Sequence, residues 1–516
     1  MRMTNKIMRS NSLYNINQNK ILEDKLTNQM TNQSKIARPS DDPVVAIRAL
    51  RLRSNVTTIT QYHDKNASDA DSWLTVTADA LNTIDDILKN LYEQATSAAN
   101  KDLTADDLEI IMTQMKSLTN EFYTSGNVDF AGRYVFSGFR TDTPITFTAA
   151  DKAEMDRHPV SYEIHENKGF ADISTIDYTD SSVLSTTIGG AGDGGVDPTT
   201  NTSYEQGITN TTLYRIRLSY DDVDGLVDAN GNQKFNLTHN GTDLTPNIQE
   251  YPNAEAAYQA IANGTETGIA YIPSTGELVF SKDYYDNNFK EGDSFHITYN
   301  KSNWQESDIN PVHYFECIET KDIGNGDSKV TAYNVTSANQ DIFYDVGFNQ
   351  QIQVNTVATE VFTHDVRRDM DDFKHCLTQL RDIETKISDI KKKMSEYPKD
   401  SDEYKNWSKK LQGAEKAQSY IRENIHTKFE NQITKYQEYS DDNNIAITNN
   451  ATRGSRLDLI TTRLTNQKAT FKDLQTDNEG IDVTQVAVEL SSSELTYQAA
   501  LMATGKIMQT NLMNYI

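Results

Sequence analysis

Glycine and proline are spread so unevenly over these 516 residues that they divide the chain into three parts. No glycine occurs before Gly126, and the only prolines in that stretch are Pro39 and Pro43. Seven of the ten prolines lie between Pro144 and Pro311, together with most of the glycines. After Gly347 only Gly413, Gly454, Gly480 and Gly505 remain, with the single proline Pro398. Both residue types interrupt regular helices. The distribution therefore calls for two helical arms flanking a loop-rich, strand-rich centre.

Apolar periodicity supports this division. In the first arm Leu22, Leu26 and Met30 recur at four-residue spacing. Trp73, Val76, Ala80, Ile84, Ile87, Leu91, Ala95 and Ala98 then follow at steps of three and four, one stripe of a long helix close to a coiled-coil seam. Ser40, Asp41 and Asp42 ahead of Pro43 form a helix start, with capping oxygens followed by proline in the first turn.

The second arm repeats the pattern in pieces. Val366, Met370, Phe373, Leu377, Leu380, Ile383, Ile387 and Ile390 form one stripe, stopped by Pro398. A second runs from Tyr404 through Trp407, Ile421 and Phe429 to Tyr436, a third from Leu457 to Leu474, and a last from Val483 to Tyr515. Asp482 with Gln485 predicts a capping box at the start of the last piece.

The centre has the other period. Tyr214, Ile216, Leu218 and Tyr220 alternate with Arg215, Arg217 and Ser219, which predicts a half-buried strand. Ile269–Ile272 and Leu278–Phe280 flank a Ser274-Thr-Gly276-Glu277 turn and predict a hairpin, and His296–Tyr299 predicts another strand. The alanine-rich stretch 253–263 predicts one short helix. The fold class is thus mainly α with a β-rich insert: long N- and C-terminal helices in an antiparallel bundle, and a central antiparallel β domain. The expected boundaries are 1–45 for a terminal helix, 46–145 for the N-terminal part of the bundle, and 146–355 for the outer insert. The C-terminal part of the bundle, with a helical extension over 361–436, takes 356–478, and a second terminal helix takes 479–516.

Charge narrows the partners. A formal net charge of -26 repels nucleic acid and anionic membrane surfaces. Lys391, Lys392 and Lys393 predict a solvated helix face. No run reaches the roughly 20 apolar residues a membrane span requires, and the first 19 residues hold no apolar core of a cleavable leader. Two cysteines, Cys317 and Cys376, make no disulfide framework, and Cys376 on an apolar stripe predicts a buried thiol.

Anchors for catalysis are absent from the sequence. No pair of histidines has metal-binding helical spacing with a carboxylate partner. His364 and His375, sharing a helix with Asp365, Asp369, Asp371 and Asp372, read as part of a solvated acidic face rather than a metal site. Gly189–Gly195 is glycine-rich but lacks the Lys-Ser/Thr of a phosphate loop, and reads as a flexible loop rather than a phosphate or calcium turn. No Gly-x-Ser-x-Gly elbow occurs. No cofactor, metal or catalytic residue is expected.

Specific strings then become informative. Met1-Arg-Met-Thr4 opens the chain, and Ser34-Lys-Ile-Ala-Arg-Pro39-Ser40-Asp41-Asp42-Pro43 follows a helix rich in Gln and Asn. Asn127 and Gly132-Arg-Tyr134-Val-Phe136-Ser137-Gly138 come next, and Asn511-Leu-Met-Asn-Tyr-Ile516 closes the chain. Together these resemble the hook–filament junction family of the flagellin superfamily over about the first 140 and last 60 residues. Flagellin usually continues its Asp-Asp pair with alanines and a glycine, whereas Pro43-Val-Val-Ala-Ile47 follows here. The stretch 342–355 resembles a strand pair of the same family, while the helical stretch 361–436 is longer than in its compact members.

The resemblance implies an extracellular subunit of the bacterial flagellum, exported without cleavage by the flagellar type III apparatus. It implies a ring of copies joining hook to filament, with the other junction protein below, flagellin above, and a cytoplasmic chaperone on the C-terminal helix before export. A flagellin-like filament subunit and an enzyme carried by the insert are the competing readings. The assembly interface expected on the terminal helices comprises Leu13, Leu22, Leu26, Met30, Val486, Leu490, Tyr497, Leu501, Met508 and Leu512. Residues 1–40 are poor in large apolar groups and Glu494 and Thr504 interrupt the last stripe, so both ends are expected to become helical only against sister subunits.

Overall fold

The computed structural model describes residues 5–100, 103–185, 204–228, 230–324, 327–334 and 340–512, without the side chains of Asn5 and of 507–512. Among them ten α-helices occur: α1 (Asn5–Asn32), α2 (Pro43–Gln61), α3 (Ser68–Ala98), α4 (Ala105–Thr124), α5 (Ala149–Arg157), α6 (Ala254–Ala262), α7 (Lys282–Asn288), α8 (Asp365–Met394), α9 (Asp402–Glu479) and α10 (Val483–Leu512). The chain divides into two compact units. The larger holds Ser72–Phe343 and Gln353–Arg453; the smaller holds Met1–Asp71, Tyr344–Ile352 and Gly454–Ile516.

In the larger unit α3, α4, α8 and α9 pack as antiparallel neighbours. The stripe read on α3 is its buried face, with Val76 half-buried, and every residue of the stripe from Val366 to Ile390 is buried on α8. Phe373 of α8 stacks on Phe429 of α9 with centroids 4.2 Å apart. Two buried asparagines one heptad apart on α9 fix its register against α3. Asn443 donates to the Leu81 carbonyl at 3.0 Å, and Asn450 to the Leu74 carbonyl at 2.9 Å. A register shift would strand both amides in a dry seam, which is how a buried polar residue specifies one alignment. Contrary to the two pieces expected between Tyr404 and Leu474, α9 is one helix of 78 residues, and Leu474 points outward. No proline falls between Asp402 and Glu479 to stop it.

The insert carries the short strands β1 (Asp129–Phe130) and β2 (Arg133–Tyr134), then β3 (Val160–Gly169), β4 (Ile173–Asp180), β5 (Thr209–Arg217), β6 (Phe235–His239) and β7 (Thr242–Asp243). These are followed by β8 (Ile248–Glu250), β9 (Ile269–Ile272), β10 (Glu277–Phe280), β11 (Ser294–Lys301), β12 (Glu316–Gly324) and β13 (Asp327–Tyr333). One sheet has the order β4-β5-β10-β9-β8 and the other β13-β12-β3-β11-β6-β7. Pairing is antiparallel as expected, except that β8 runs parallel to β9. The expected hairpin pairs Ile272 with Glu277. Its Gly276 has φ +58, and a Cβ there would lie 2.0 Å from the Tyr220 carbonyl oxygen, so glycine alone fits. The short helix is α6, capped by the Asn253 side chain on the Ala256 amide. With Tyr258 and Ile261 it covers Ile176, Leu213 and Val279 of the first sheet.

Strand β5 departs from its half-buried reading: Ile216 is buried on one face and Arg215 on the other. The reason is α8. Arg215 donates to both oxygens of Asp372 and to Glu277, and Arg217 reaches Asp369 at 2.8 Å and Asp372 at 3.2 Å. From α9, Lys428 reaches Asp372 and Lys435 reaches Asp369, each at 2.9 Å. The acidic face of α8 is therefore not uniformly solvated, as the sequence reading had it. Asp369 and Asp372 are buried, while Asp365 stays exposed. Burial pushes the Asp372 carboxyl up, but Arg215, Lys428 and Arg217 outweigh it and hold the group well below its usual value. Cys376 is buried and Lys391, Lys392 and Lys393 are exposed, as expected.

The stretch 342–355 forms β14 (Phe343–Gly347) and β15 (Gln350–Gln353), paired as a two-stranded sheet.

Candidate assembly surface

The smaller unit contains α1, α2, α10 and the last part of α9. Asp42 accepts from the amides of Val44 and Val45 at 2.9 and 3.1 Å and, with Pro43 at the first position, starts α2 as the sequence predicted. Asp482 does the same for α10, accepting from Thr484 and Gln485. The capping box is incomplete, because the Gln485 amide turns forward to Glu489 at 2.8 Å instead of back to the cap. Between the helices, the Lys35 amide donates to the Glu479 carbonyl at 2.8 Å and its ammonium to the Asp477 carbonyl at 2.7 Å. Arg53 pairs with Glu479 through two contacts, one of them 2.8 Å. Gly480 allows this close turn, since a Cβ would lie 2.6 Å from the Thr476 carbonyl oxygen.

These ties set α1 and α10 side by side, antiparallel. On α1 the covered or half-covered seam positions are Ser12, Ile16, Asn19, Glu23, Leu26 and Met30, with Gln29 half-covered beside them; on α10 they are Val486, Leu490, Ser493, Tyr497, Ala500 and Thr504, with Ala487 half-covered beside them. Steps of four and three alternate throughout, the 3.5-residue period of a coiled-coil seam. The seam is weak. Only Leu26 and Val486 are buried apolar residues, at 5% and 8% exposure, and the buried Ser493 hydroxyl has no hydrogen-bond partner.

Each helix carries a second apolar stripe. On α1 it is Ile7, Tyr14 and Ile21; on α10 it is Val488, Leu495 and Met502, which are 65%, 70% and 66% exposed. Members recur every seven residues. At 3.6 residues per turn each stripe lies about 160–180° around its helix from the seam. The two stripes of the pair thus face opposite ways.

The ten residues expected at the interface divide accordingly. Leu26, Met30, Val486, Leu490 and Tyr497 lie in the seam within the chain. Leu13, Leu22 and Leu501 are exposed on the flanks between seam and outer stripe, Leu501 nearer the seam. The side chains of Met508 and Leu512 lie outside the described residues, as do Met1–Thr4 and the Gly189–Gly195 loop. The sequence reading passed over Ile7, Tyr14, Ile21, Val488, Leu495 and Met502. Their strict seven-residue recurrence was the signal available.

Elsewhere the chemistry offers little. Among the described residues no group of three His, Cys, Asp or Glu could hold a metal ion, and no helix is long and apolar enough to cross a membrane. A cavity of about 630 Å³ between α4, α8 and the insert is lined by Lys301, Arg367, Asp308 and Asp371 as mixed charges. Lys301 is occupied by the carbonyls of Asp221 and Asp222, and Arg367 by Asp308. His364, at the head of α8, sits among Tyr220, Tyr314 and Phe315 with its Nε2 unpartnered, and burial pushes its value down to about 3.

Residues 3–141 match the family model of the bacterial flagellin N-terminal helical region. The chain also has curated homologues named flagellar hook-associated protein 3: it is 26% identical to that of Escherichia coli K12 over 28% of its own length, and 24% identical to that of Salmonella typhimurium LT2 over the same share. It matches 45% of the length of each, just under half. Among solved structures, the flagellar junction protein FlgL from Legionella pneumophila covers 80% of this chain and 99% of its own, at 11% identity and a TM-score of 0.26.

Proposed function

We propose that the chain is a structural subunit of the bacterial flagellum that joins hook to filament, built into the organelle by self-assembly and performing no catalysis. One observation carries the reading: the α1–α10 pair bears two exposed apolar stripes turned in opposite directions. A surface of that kind cannot be satisfied by a single isologous partner. It takes a neighbour on each side, and such a heterologous contact builds a ring where the rotation closes and an open helical array where it does not; the junction reading calls for the ring. Each leucine-sized side chain covered on assembly contributes ~1.5–3 kcal/mol, so covering the six residues of the two stripes outweighs the two apolar side chains buried in the seam within one chain. The names of the curated relatives and the flagellin-type N-terminal match support the flagellar setting. In that setting the partners are further copies of this chain, the other junction protein, flagellin, and an export chaperone in the cytoplasm. The location is extracellular, reached by type III export.

The test is Leu495→Asp in the full chain. A charge at the centre of an outer stripe is tolerated in the monomer, where water solvates it, and is excluded from a packed wall. The variant should melt at the wild-type temperature, yet fail to sediment as assemblies or to restore motility. Normal assembly by this variant would sink the proposal. A filament subunit is the second reading, favoured by the flagellin match over residues 3–141. Deleting the gene separates the two. Loss of a junction subunit leaves bare hooks with flagellin released to the medium, whereas loss of a filament subunit removes the bulk of the filament protein itself.

A further inference from the structure

Helix α2 and the last turns of α9 form a second bipolar pair within the smaller unit. They are joined by Arg53 and Glu479 and by the Asn478 amide on the Val45 carbonyl. α2 turns Ala46, Ala49 and Ile59 inward. Outward it presents Val44, Ile47, Arg48 and Arg51 at steps i, i+3, i+4 and i+7, with Leu50 beside them, all exposed. The helix has no carboxylate, and among the described residues neither Arg48 nor Arg51 has an ion-pair partner. On the last turns of α9, Phe471, Gln475 and Asn478 are half-buried, while Asp473, Leu474 and Asp477 are exposed, at about 70–170° around the helix from them. The carboxylates of Asp473 and Asp477 are likewise unpaired among the described residues. Arg53 with Glu479 and Lys468 with Asp64 are ion pairs inside the same unit.

We propose that the cationic, apolar face of α2 docks on the acidic, apolar face of α9 in the next copy of this chain. The charges are opposite in sign, Arg48 and Arg51 on α2 against Asp473 and Asp477 on the last turns of α9, with exposed apolar residues beside each and with Arg456 and Arg463 two turns or more earlier on α9. This is the arrangement of a heterologous contact that repeats around a ring. In a chain of net charge -26, such pairing also offsets part of the repulsion between copies. The contact rests on the self-assembly reading above and adds to it a second, electrostatic layer separate from the apolar stripes of α1 and α10.

Charge reversal in the full-length chain tests the contact. R48D/R51D should fold as the wild type but lose assembly, because every junction would oppose two acidic faces. D473R/D477R should fail likewise, with two basic faces. An equimolar mixture of the two should assemble, since each junction then meets opposite signs, and wild-type assembly should weaken at least tenfold between 0.05 and 0.5 M salt, values chosen to shorten the Debye length from about 14 to about 4 Å. The contact is refuted if either variant assembles alone as well as wild type, or if the mixture stays unassembled while each variant keeps the wild-type melting temperature. Leu495→Asp runs in parallel. If it blocks assembly while R48D/R51D does not, the contact falls and the self-assembly reading stands; if neither blocks it, both fall.

Discussion

At the scale of single residues, the sharpest constraints lie where charge has been taken out of water. Asp372 answers Arg215, Arg217 and Lys428 at once. Replacing it with Asn takes from buried Arg215 its main counter-charge and from Arg217 its second, and breaking a buried pair in this way costs about 3–5 kcal/mol. D372N should therefore shift the urea midpoint strongly downward with an unchanged slope; a change below ~1 kcal/mol would mean that the cluster is not dry. His364 sets a pH dependence at milder acidity. It faces Glu166, Lys168, Asp365 and Arg367 besides its aromatic neighbours, and its folded value of about 3 lies below the ordinary 6.5. The ring is held neutral by the fold, so its contribution is complete above pH 6.5 and is lost as pH falls toward 3. Each unit in that window costs ~1.4 kcal/mol. His364→Phe fills the same aromatic box without a proton to take up. It should match wild type at pH 7 and exceed it by roughly 2 kcal/mol near pH 5 in chemical denaturation.

At the scale of elements, the register of α9 on α3 depends on two asparagines that periodicity alone would class as interruptions. Their side-chain carbonyls have no hydrogen-bond partner. Replacing Asn443 and Asn450 together by Leu should raise thermal stability while admitting shifted alignments, visible as doubled resonances or several disulfide registers between engineered cysteine pairs on the two helices. A single alignment in the double variant would show that the packing of Trp73 and its neighbours suffices.

The same elements show what the sequence could tell. The stripes of α3 and α8, the caps at Asp42 and Asp482, and the hairpin at Gly276 were legible because period, capping oxygen and backbone freedom are local properties. The ion cluster was not. Arg215 and Asp372 are 157 residues apart, and nothing in either neighbourhood says that β5 crosses α8 there, so four aspartates on one helix looked like a wet face. The terminal helices fall between these cases. Their heptads were visible, but a helix with two apolar stripes does not announce which one its own chain covers. Leu26 and Val486 were thus grouped with Leu13 and Leu501.

At the scale of the whole molecule, a chain that leaves apolar stripes uncovered must be kept dilute or chaperoned before it reaches its place. Deleting residues 1–32 and 483–516 removes both stripes and leaves the larger unit's core untouched. The truncated chain should stay monomeric at concentrations where the full chain assembles, with the larger unit's melting transition preserved. Light scattering and calorimetry on the two chains would check this, and assembly of the truncated form would place the contacts elsewhere.

The cluster on β5, α8 and α9 bears on how that larger unit carries load. A hinge needs an interface that can open cheaply, either slippery and apolar or wet. Here, swinging the insert off the helices would pull Arg215 and Arg217 from their carboxylates before water could reach either side. Under a twisting force the insert and the helices beneath it should turn together as one stiff lever, and compliance should be sought at other points along the chain.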